Sequence, residues 1–239
     1  MADSPPRVAL LAGASGLVGG YVLEALLDAP DFARVFAVSR RPLGREHSRL
    51  ANRIVQFDKL ETQLKGQACS VAFCCLGTTL KQAGSEQAFR KVDFDYVLSF
   101  ARAARVAQAE RFIVITSAGA QPQAKPFYLR VKGEVEAALE AMRFAALDIL
   151  QPGPLMAFRR PGEMATALLM PIANPMLTGT RMPYRGITPR IVAAAMLGAS
   201  RSGRRGVYRY TYAALRALAE AKPVRVPPPV TPKTPSGAR

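Results

Sequence analysis

The chain has 239 residues, enough for one large α/β domain or two small ones. With 49% hydrophobic and 21% charged residues it can bury a core, which excludes disorder over most of its length, a collagen-like chain and a disulfide-stapled mini-protein. Thirty-three Lys and Arg against seventeen Asp and Glu leave a formal charge of +16, which favours anionic partners and says nothing about fold.

The segment Met1 to Arg7 is polar and carries two prolines, so it reads as neither a secretory nor an amphipathic targeting segment. Val8 to Ala12 is a short apolar run, followed by glycines and then a helical pattern that places Leu17, Tyr21, Val22, Ala25 and Leu26 on one side. Further apolar runs follow at Arg34–Val38, Arg53–Phe57, Ser70–Leu76, Arg111–Ile115 and Leu147–Leu150. Helical patterns lie between most of them, notably Glu86 to Arg105 and Tyr128 to Met142. Apolar strands alternating with helices predict an α/β doubly wound parallel sheet. After Pro154 the alternation lapses into a Pro- and Gly-containing stretch, which predicts a small irregular C-terminal substrate region over 155–206. Within it a helix is expected at Ile187–Ala199, and a strand follows at Gly206–Tyr210. The reading is one domain over 1–221 and a disordered, proline-rich, basic tail over 222–239.

Gly13-Ala14-Ser15-Gly16-Leu17-Val18-Gly19 lies between the first strand and the first helix. Glycines placed there let the backbone turn sharply and approach a pyrophosphate, whose charge the helix N-terminus stabilises. The spacing is G-x-x-G-x-x-G, with Ala14 where the stricter dinucleotide fingerprint has its second glycine. At the end of the second strand an NAD site usually carries Asp or Glu for the ribose 2′-hydroxyl. This chain has Ser39-Arg40-Arg41, two guanidiniums suited to a 2′-phosphate, so NADP (NADPH) is the expected cofactor. The alternative is a solvated basic loop. Asp58, closing the third run, could accept from the adenine amino group or cap a helix.

Thr116-Ser117 ends the fifth strand, on the edge where doubly wound sheets bind ligands. Tyr128 and Lys132 follow at i, i+4 at the head of a helix, on one face. A phenol with a pKa near ~10 is a poor acid at neutral pH, and an ammonium one turn away makes it a better one. Ser117 or Thr116 could then hold a carbonyl oxygen beside Tyr128. The bland alternative is a chance Y-x-x-x-K, Tyr at a core edge and Lys in solvent.

These stretches, with Phe73-Cys-Cys-Leu-Gly-Thr-Thr79, Val92-Asp-Phe-Asp-Tyr-Val97, Tyr128-Leu-Arg-Val-Lys-Gly-Glu-Val-Glu136 and Gln151-Pro-Gly153, resemble the atypical short-chain dehydrogenase/reductases. Within them the chain is similar to the Tat-interacting-protein-like oxidoreductases, over roughly residues 7–160. The resemblance implies a Rossmann-like fold, NADP(H) binding and a catalytic set of Ser117 (Thr116 as alternate), Tyr128 and Lys132. It also places Leu76, Gly77 and Thr78 beside the cofactor, and Pro152 and Gly153 beside the nicotinamide. Two departures stand out: Asp93 occupies the place where typical members carry Asn, and only eleven residues separate Ser117 from Tyr128.

Cys69, Cys74 and Cys75 lie on or beside an expected buried strand and read as small core hydrophobes. His47 is the single histidine, so no metal site is expected. The basic tail lacks aromatic interleaving, which argues against specific nucleic-acid recognition. The longest nearly uncharged run, Met164–Thr180, is broken by Pro171 and Pro175 and cannot form one regular membrane-spanning helix, which needs about 20 apolar residues. An odd cysteine count and no signal peptide point to a reducing, cytoplasmic location. Three functions remain in view: an NADPH-dependent reductase of a small-molecule carbonyl substrate, a non-catalytic NADPH-binding regulator, and a nucleotide-sugar epimerase or dehydratase. The last is disfavoured by so short a C-terminal region.

Overall fold

The computed structural model describes residues 6–156 and 185–221, so the expected tail and most of the irregular substrate-side region lie outside the described residues. Along the chain come β1 (Arg7–Ala12), α1 (Leu17–Asp28), β2 (Phe32–Ser39), β3 (Leu50–Ile54) and α2 (Leu60–Gln63). Then follow β4 (Val71–Cys74), α3 (Leu80–Ala83), α4 (Glu86–Arg90), α5 (Tyr96–Val106), β5 (Arg111–Ile115) and α6 (Phe127–Ala141). The last described elements are β6 (Ala146–Leu150), α7 (Pro189–Ser200), β7 (Gly206–Tyr210) and α8 (Tyr212–Glu220). The strands form one sheet in the order β3-β2-β1-β4-β5-β6-β7, and every pair is parallel. This is the expected Rossmann-like doubly wound sheet, and its order reverses between β1 and β4, the place where such sheets open a ligand crevice.

Alternate residues of β1 feed two cores. Leu10 and Ala12 face the layer of α2, α5 and α6, while Ala9 and Leu11 face α1, α7 and α8. A strand covered on both faces needs a continuous apolar run, and β1, β2, β4 and β5 supply one. The edge strand β3 does not. Its residues are half-buried or exposed, so the sequence signal falls three residues late, on Val55 and Phe57, which are buried beyond the strand's end. On α1 the buried stripe is Val18, Val22, Leu23 and Leu26, one position round from the expected face, and Leu17 and Tyr21 are exposed. The sheet's inner surface lies under the later positions of each turn, because side chains lean toward the helix N-terminus.

Burial of Asp148 in β6 is offset by partners from both neighbouring strands. Arg111 of β5 forms an ion pair with it, and the Tyr210 hydroxyl of β7 donates to Oδ1 at 2.8 Å. Burial holds the Asp148 carboxyl above its usual range despite Arg111. The helix α7 starts with Pro189 in its first turn and Thr188 as N-cap, accepting from the Ile191 N–H at 3.4 Å.

At Gly198, α7 meets the backbone of α8, and a Cβ there would lie 2.2 Å from the Leu218 carbonyl oxygen. Alanine gains roughly 1 kcal/mol over glycine inside a helix. Overpacking against a rigid backbone costs about 1–3 kcal/mol. Gly198→Ala is therefore expected to be net destabilising, lowering the urea midpoint at unchanged slope; a raised midpoint would mean the two helices separate freely.

Candidate functional site

The turn after β1 is held by its lack of side chains. Gly13 adopts φ +85°, and a Cβ on it would fall 2.4 Å from the carbonyl oxygen of Cys75, just past β4. A Cβ on Gly19 would fall 2.0 Å from the carbonyl oxygen of Gly13. The Gly16 N–H closes the turn on Gly13 at 2.9 Å, and Gly16 caps α1 with no side-chain hydrogen bond. The first-turn N–H groups of α1 are therefore left for an incoming anion. Ala14, Val18 and Gly19 are buried, while Ser15, Gly16 and Leu17 face outward. The cradle fits a pyrophosphate approached by backbone alone.

At the end of β2, Ser39 is buried and its hydroxyl donates to the Arg41 carbonyl at 2.7 Å. Asn52 of β3 donates to that hydroxyl at 2.8 Å and to the Ala37 carbonyl at 3.0 Å, and its side-chain oxygen accepts from the Leu43 N–H. These bonds fix the loop backbone and leave Arg40 and Arg41 exposed, with no ion pair among the described residues. Asn52 carries no pattern that sequence reasoning could have used. Asp58 departs from one of its two readings: Gln56 is the N-cap of the turn at Phe57–Lys59, and the Asp58 carboxylate instead pairs with Lys91 at 2.5 Å.

Past β4, Leu76 is half-buried and Gly77 exposed, and the Thr78 N–H donates to Asp93 Oδ2 at 2.8 Å. Asp93 sits on a π-helical turn, Lys91–Asp95, that joins α4 to α5 and interrupts the expected single helix. Its other oxygen lies 2.7 Å from Lys132 Nζ, with no aligned hydrogen bond. The two side chains are 0% and 7% exposed. Burial works against the Lys132 ammonium, but the Asp93 carboxylate and the neighbouring Tyr128 more than offset it and hold the amine above its ordinary pKa. Lys132 is thus not the solvated lysine of the bland reading. A Cβ on Gly77 would lie 3.7 Å from its Nζ, which brings Lys132 directly beneath the β4 loop that also meets Gly13.

Tyr128 is half-buried in the first turn of α6, its ring 5.6 Å from that of Phe89. The loop before α6 is pressed on the helix at Gly133, where a Cβ would lie 2.1 Å from the Gln121 backbone. Ser117 is half-buried and its hydroxyl makes one long contact, 3.4 Å to the Ala118 carbonyl, so it remains available. Thr116 is not its equivalent. Its hydroxyl is buried and donates to Glu136 Oε1 at 2.6 Å, which commits it to the interior. Pro152 and Gly153 are buried, and the Pro152 carbonyl accepts from the Ala118 N–H, tying the two loop ends together.

Glu136, two turns beyond Tyr128, was missed by sequence reasoning. It is 3% exposed and also accepts from Gln151 at 3.0 Å and from Arg209 of β7 at 3.1 Å, while Arg209 reaches on to Glu140. A cavity of about 460 Å³ opens on this flank of α6, between Gly119–Pro122, Gln151 and Arg209; it includes neither Ser117, Tyr128 nor Lys132. Burial pushes the Cys69 and Cys74 thiols up to about 12, so they behave as core atoms. Among the described residues no three His, Cys, Asp or Glu side chains converge as a metal site, and no helix is long and apolar enough to cross a membrane. Removing the Thr116 hydroxyl leaves a buried carboxylate short of one donor, a loss of about 1–3 kcal/mol. Thr116→Val is accordingly expected to lower the denaturation midpoint while leaving cofactor binding within twofold; an equally stable variant would return Thr116 to the ligand side.

Residues 13–156 match a family described as NAD(P)H-binding. The chain is 39% identical over 158 residues to protein HTATIP2 of Rattus norvegicus, a match covering 63% of this chain and 65% of that protein, less than two thirds of its length. It is 31% identical over 185 residues to protein FMP52-1 of Scheffersomyces stipitis, covering 74% of this chain and 80% of the other. Among solved structures, UDP-glucose 4-epimerase of Thermotoga maritima superposes with a TM-score of 0.63 at 17% identity, over 92% of this chain and 86% of the other, a likeness of fold alone. The expected cytoplasmic location is overturned: the Scheffersomyces stipitis protein and further fungal relatives are named mitochondrial, and a polar first segment is too weak a signal to set against that. The chain belongs to the NAD(P)H-binding family, in the Tat-interacting-protein-like branch that holds HTATIP2 and FMP52-1.

Proposed function

We propose that the protein is an NADPH-dependent oxidoreductase of the atypical short-chain dehydrogenase/reductase class that reduces a small carbonyl compound. The observation that carries this reading is the meeting of three segments at the sheet's switch point. Gly13 abuts Cys75, Gly77 lies over Lys132, and Lys132 stands one helical turn from Tyr128. A buried, charged lysine beside a phenol serves no packing purpose that an apolar side chain would not serve better.

The backbone of Gly13 to Gly19 and the open end of α1 would hold the pyrophosphate, with Arg40 and Arg41 forming charge-assisted bonds to a 2′-phosphate. Leu76, Gly77 and Thr78 would line one side of the nicotinamide, and Pro152 and Gly153 the other. When bound, NADPH supplies the hydride. The residues of the chain do the rest: Ser117 donates a hydrogen bond to the substrate carbonyl oxygen, and Tyr128 gives its phenolic proton to that oxygen as negative charge develops on it. Lys132 fixes the local field around the phenol.

A second reading, a non-catalytic NADPH-binding regulator, is favoured by one observation: Asp93 pairs with the ammonium that would otherwise act on Tyr128 alone. Tyr128→Phe separates the two readings. The phenol oxygen belongs to proton transfer and not to cofactor anchoring, so NADPH affinity is expected to hold within a few-fold while turnover falls about 10²–10⁴-fold, as for loss of a positioned acid. A carbonyl substrate reduced equally well by both proteins would remove Tyr128 from the mechanism. If the NADPH-saturated protein reduces none of a broad carbonyl panel, the regulator reading takes its place.

A further inference from the structure

Asparagine is a poor strand former, yet β3 carries one half-buried at Asn52, opposite Ala37 in the ladder with β2. Its side chain is aimed at the segment that follows β2. The amide nitrogen donates to the Ala37 carbonyl at 3.0 Å and to the Ser39 hydroxyl at 2.8 Å. The amide oxygen accepts from the Leu43 N–H at 3.0 Å. The Ser39 hydroxyl extends the grip by donating to the Arg41 carbonyl at 2.7 Å. Arg40 and Arg41 therefore lie between two points held by one side chain.

Stability gives little reason for such a clamp. Pro42 and Gly44, on either side of Leu43, are exposed, so water could replace the amide there. The Leu43 side chain is seated on the apolar cluster that buries α1, which already fixes where the loop returns to the sheet. Packing of Leu43 leaves the peptides of Arg40 and Arg41 free to turn. The four hydrogen bonds remove that freedom, and two exposed guanidiniums then project from a fixed backbone.

We propose that Asn52 is a positioning residue for cofactor selection: by clamping Ser39–Leu43 it presents Arg40 and Arg41 together to a 2′-phosphate and so sets a preference for NADPH over NADH. This rests on the reading of those two arginines as the 2′-phosphate ligands. Ordering one long side chain at a contact lowers affinity by about two- to tenfold, and a backbone held in advance avoids part of that loss. A dinucleotide without the 2′-phosphate makes no use of the two arginines and gains nothing from the clamp.

The test is calorimetric titration of the full chain and its variants with NADPH and NADH, with amide hydrogen exchange at Leu43 as a readout that needs no cofactor. Asn52→Leu is expected to weaken NADPH binding about tenfold and to leave NADH within about twofold. Exchange at Leu43 should become at least about tenfold faster as the loop opens locally. Ser39→Ala cuts the same clamp from its other end and should shift the preference in the same direction, whereas Ser39→Thr keeps the hydroxyl and should retain it. In an Arg40→Ala/Arg41→Ala background, Asn52→Leu should change NADPH affinity by less than about twofold, because the clamp then has nothing to present.

An Asn52→Leu protein that keeps the wild-type preference, or that loses both cofactors equally, overturns the proposal. So does unchanged exchange at Leu43, or a further loss of NADPH binding in the doubly substituted background. Should Asn52→Leu fail to fold, Ser39→Ala decides by the same comparison. Equal affinities of the wild type for the two cofactors would overturn the 2′-phosphate reading and the proposal with it. A wild-type preference that survives in Asn52→Leu overturns the proposal alone.

Discussion

Everything at the ligand edge depends on how closely three backbone segments approach one another. The turn after β1 can lie against the first residue past β4 because Gly13 has no Cβ and adopts a positive φ, and it can fold under α1 because Gly19 has none either. That contact is what brings the open end of α1 to the place where the strand order reverses. It also sets the height of the β4 loop, and so of the Thr78 N–H to which Asp93 is bonded. A side chain at either glycine would separate the anion cradle from the lysine below it.

Charge is carried into this structure at a cost, and each instance is compensated within a few ångströms. On α6, Lys132 turns toward Asp93 and Glu136 toward Thr116, Gln151 and Arg209. Breaking one partner of a buried pair typically costs about 3–5 kcal/mol, whereas replacing both by apolar groups is often neutral, so stability alone does not account for such pairs. The two pairs differ in where they look. Glu136 anchors α6 to β6 and β7 behind the site. Lys132 lies under the exposed Gly77, at the end of the sheet where the strand order reverses.

The sheet was legible because most of its strands are covered on both faces, which forces the continuous apolar runs of β1, β2, β4 and β5. Even β6 shows through its single Asp148, since the partners that offset that charge come from β5 and β7 without disturbing the apolar residues around it. The edge strand β3 was placed three residues late, because its half-buried residues need no such run. The helix that the reading missed altogether needs a different reason. It is α8, a short helix whose one fully buried residue is Leu215 and which meets α7 at Gly198. At the site, the glycine turn, Tyr128 and Lys132 are readable as local spacings. The partners of Lys132 and Thr116 are not: Asp93 and Glu136 come from 39 and 20 residues away, and a single sequence holds no record of which charges meet.

The proposed preference for NADPH assigns the exposed Arg40 and Arg41 at the end of β2 to a 2′-phosphate, and calorimetric titration with NADPH and NADH reads that directly. A charge-assisted bond to phosphate is worth about 1.5–3 kcal/mol, so the wild-type protein should bind NADPH about one to two decades more tightly than NADH. In Arg40→Ala that preference should collapse, with NADH affinity little changed. Equal affinities for the two cofactors in the wild type, or an equal loss for both in Arg40→Ala, would contradict the assignment of Arg40 and Arg41 to the 2′-phosphate.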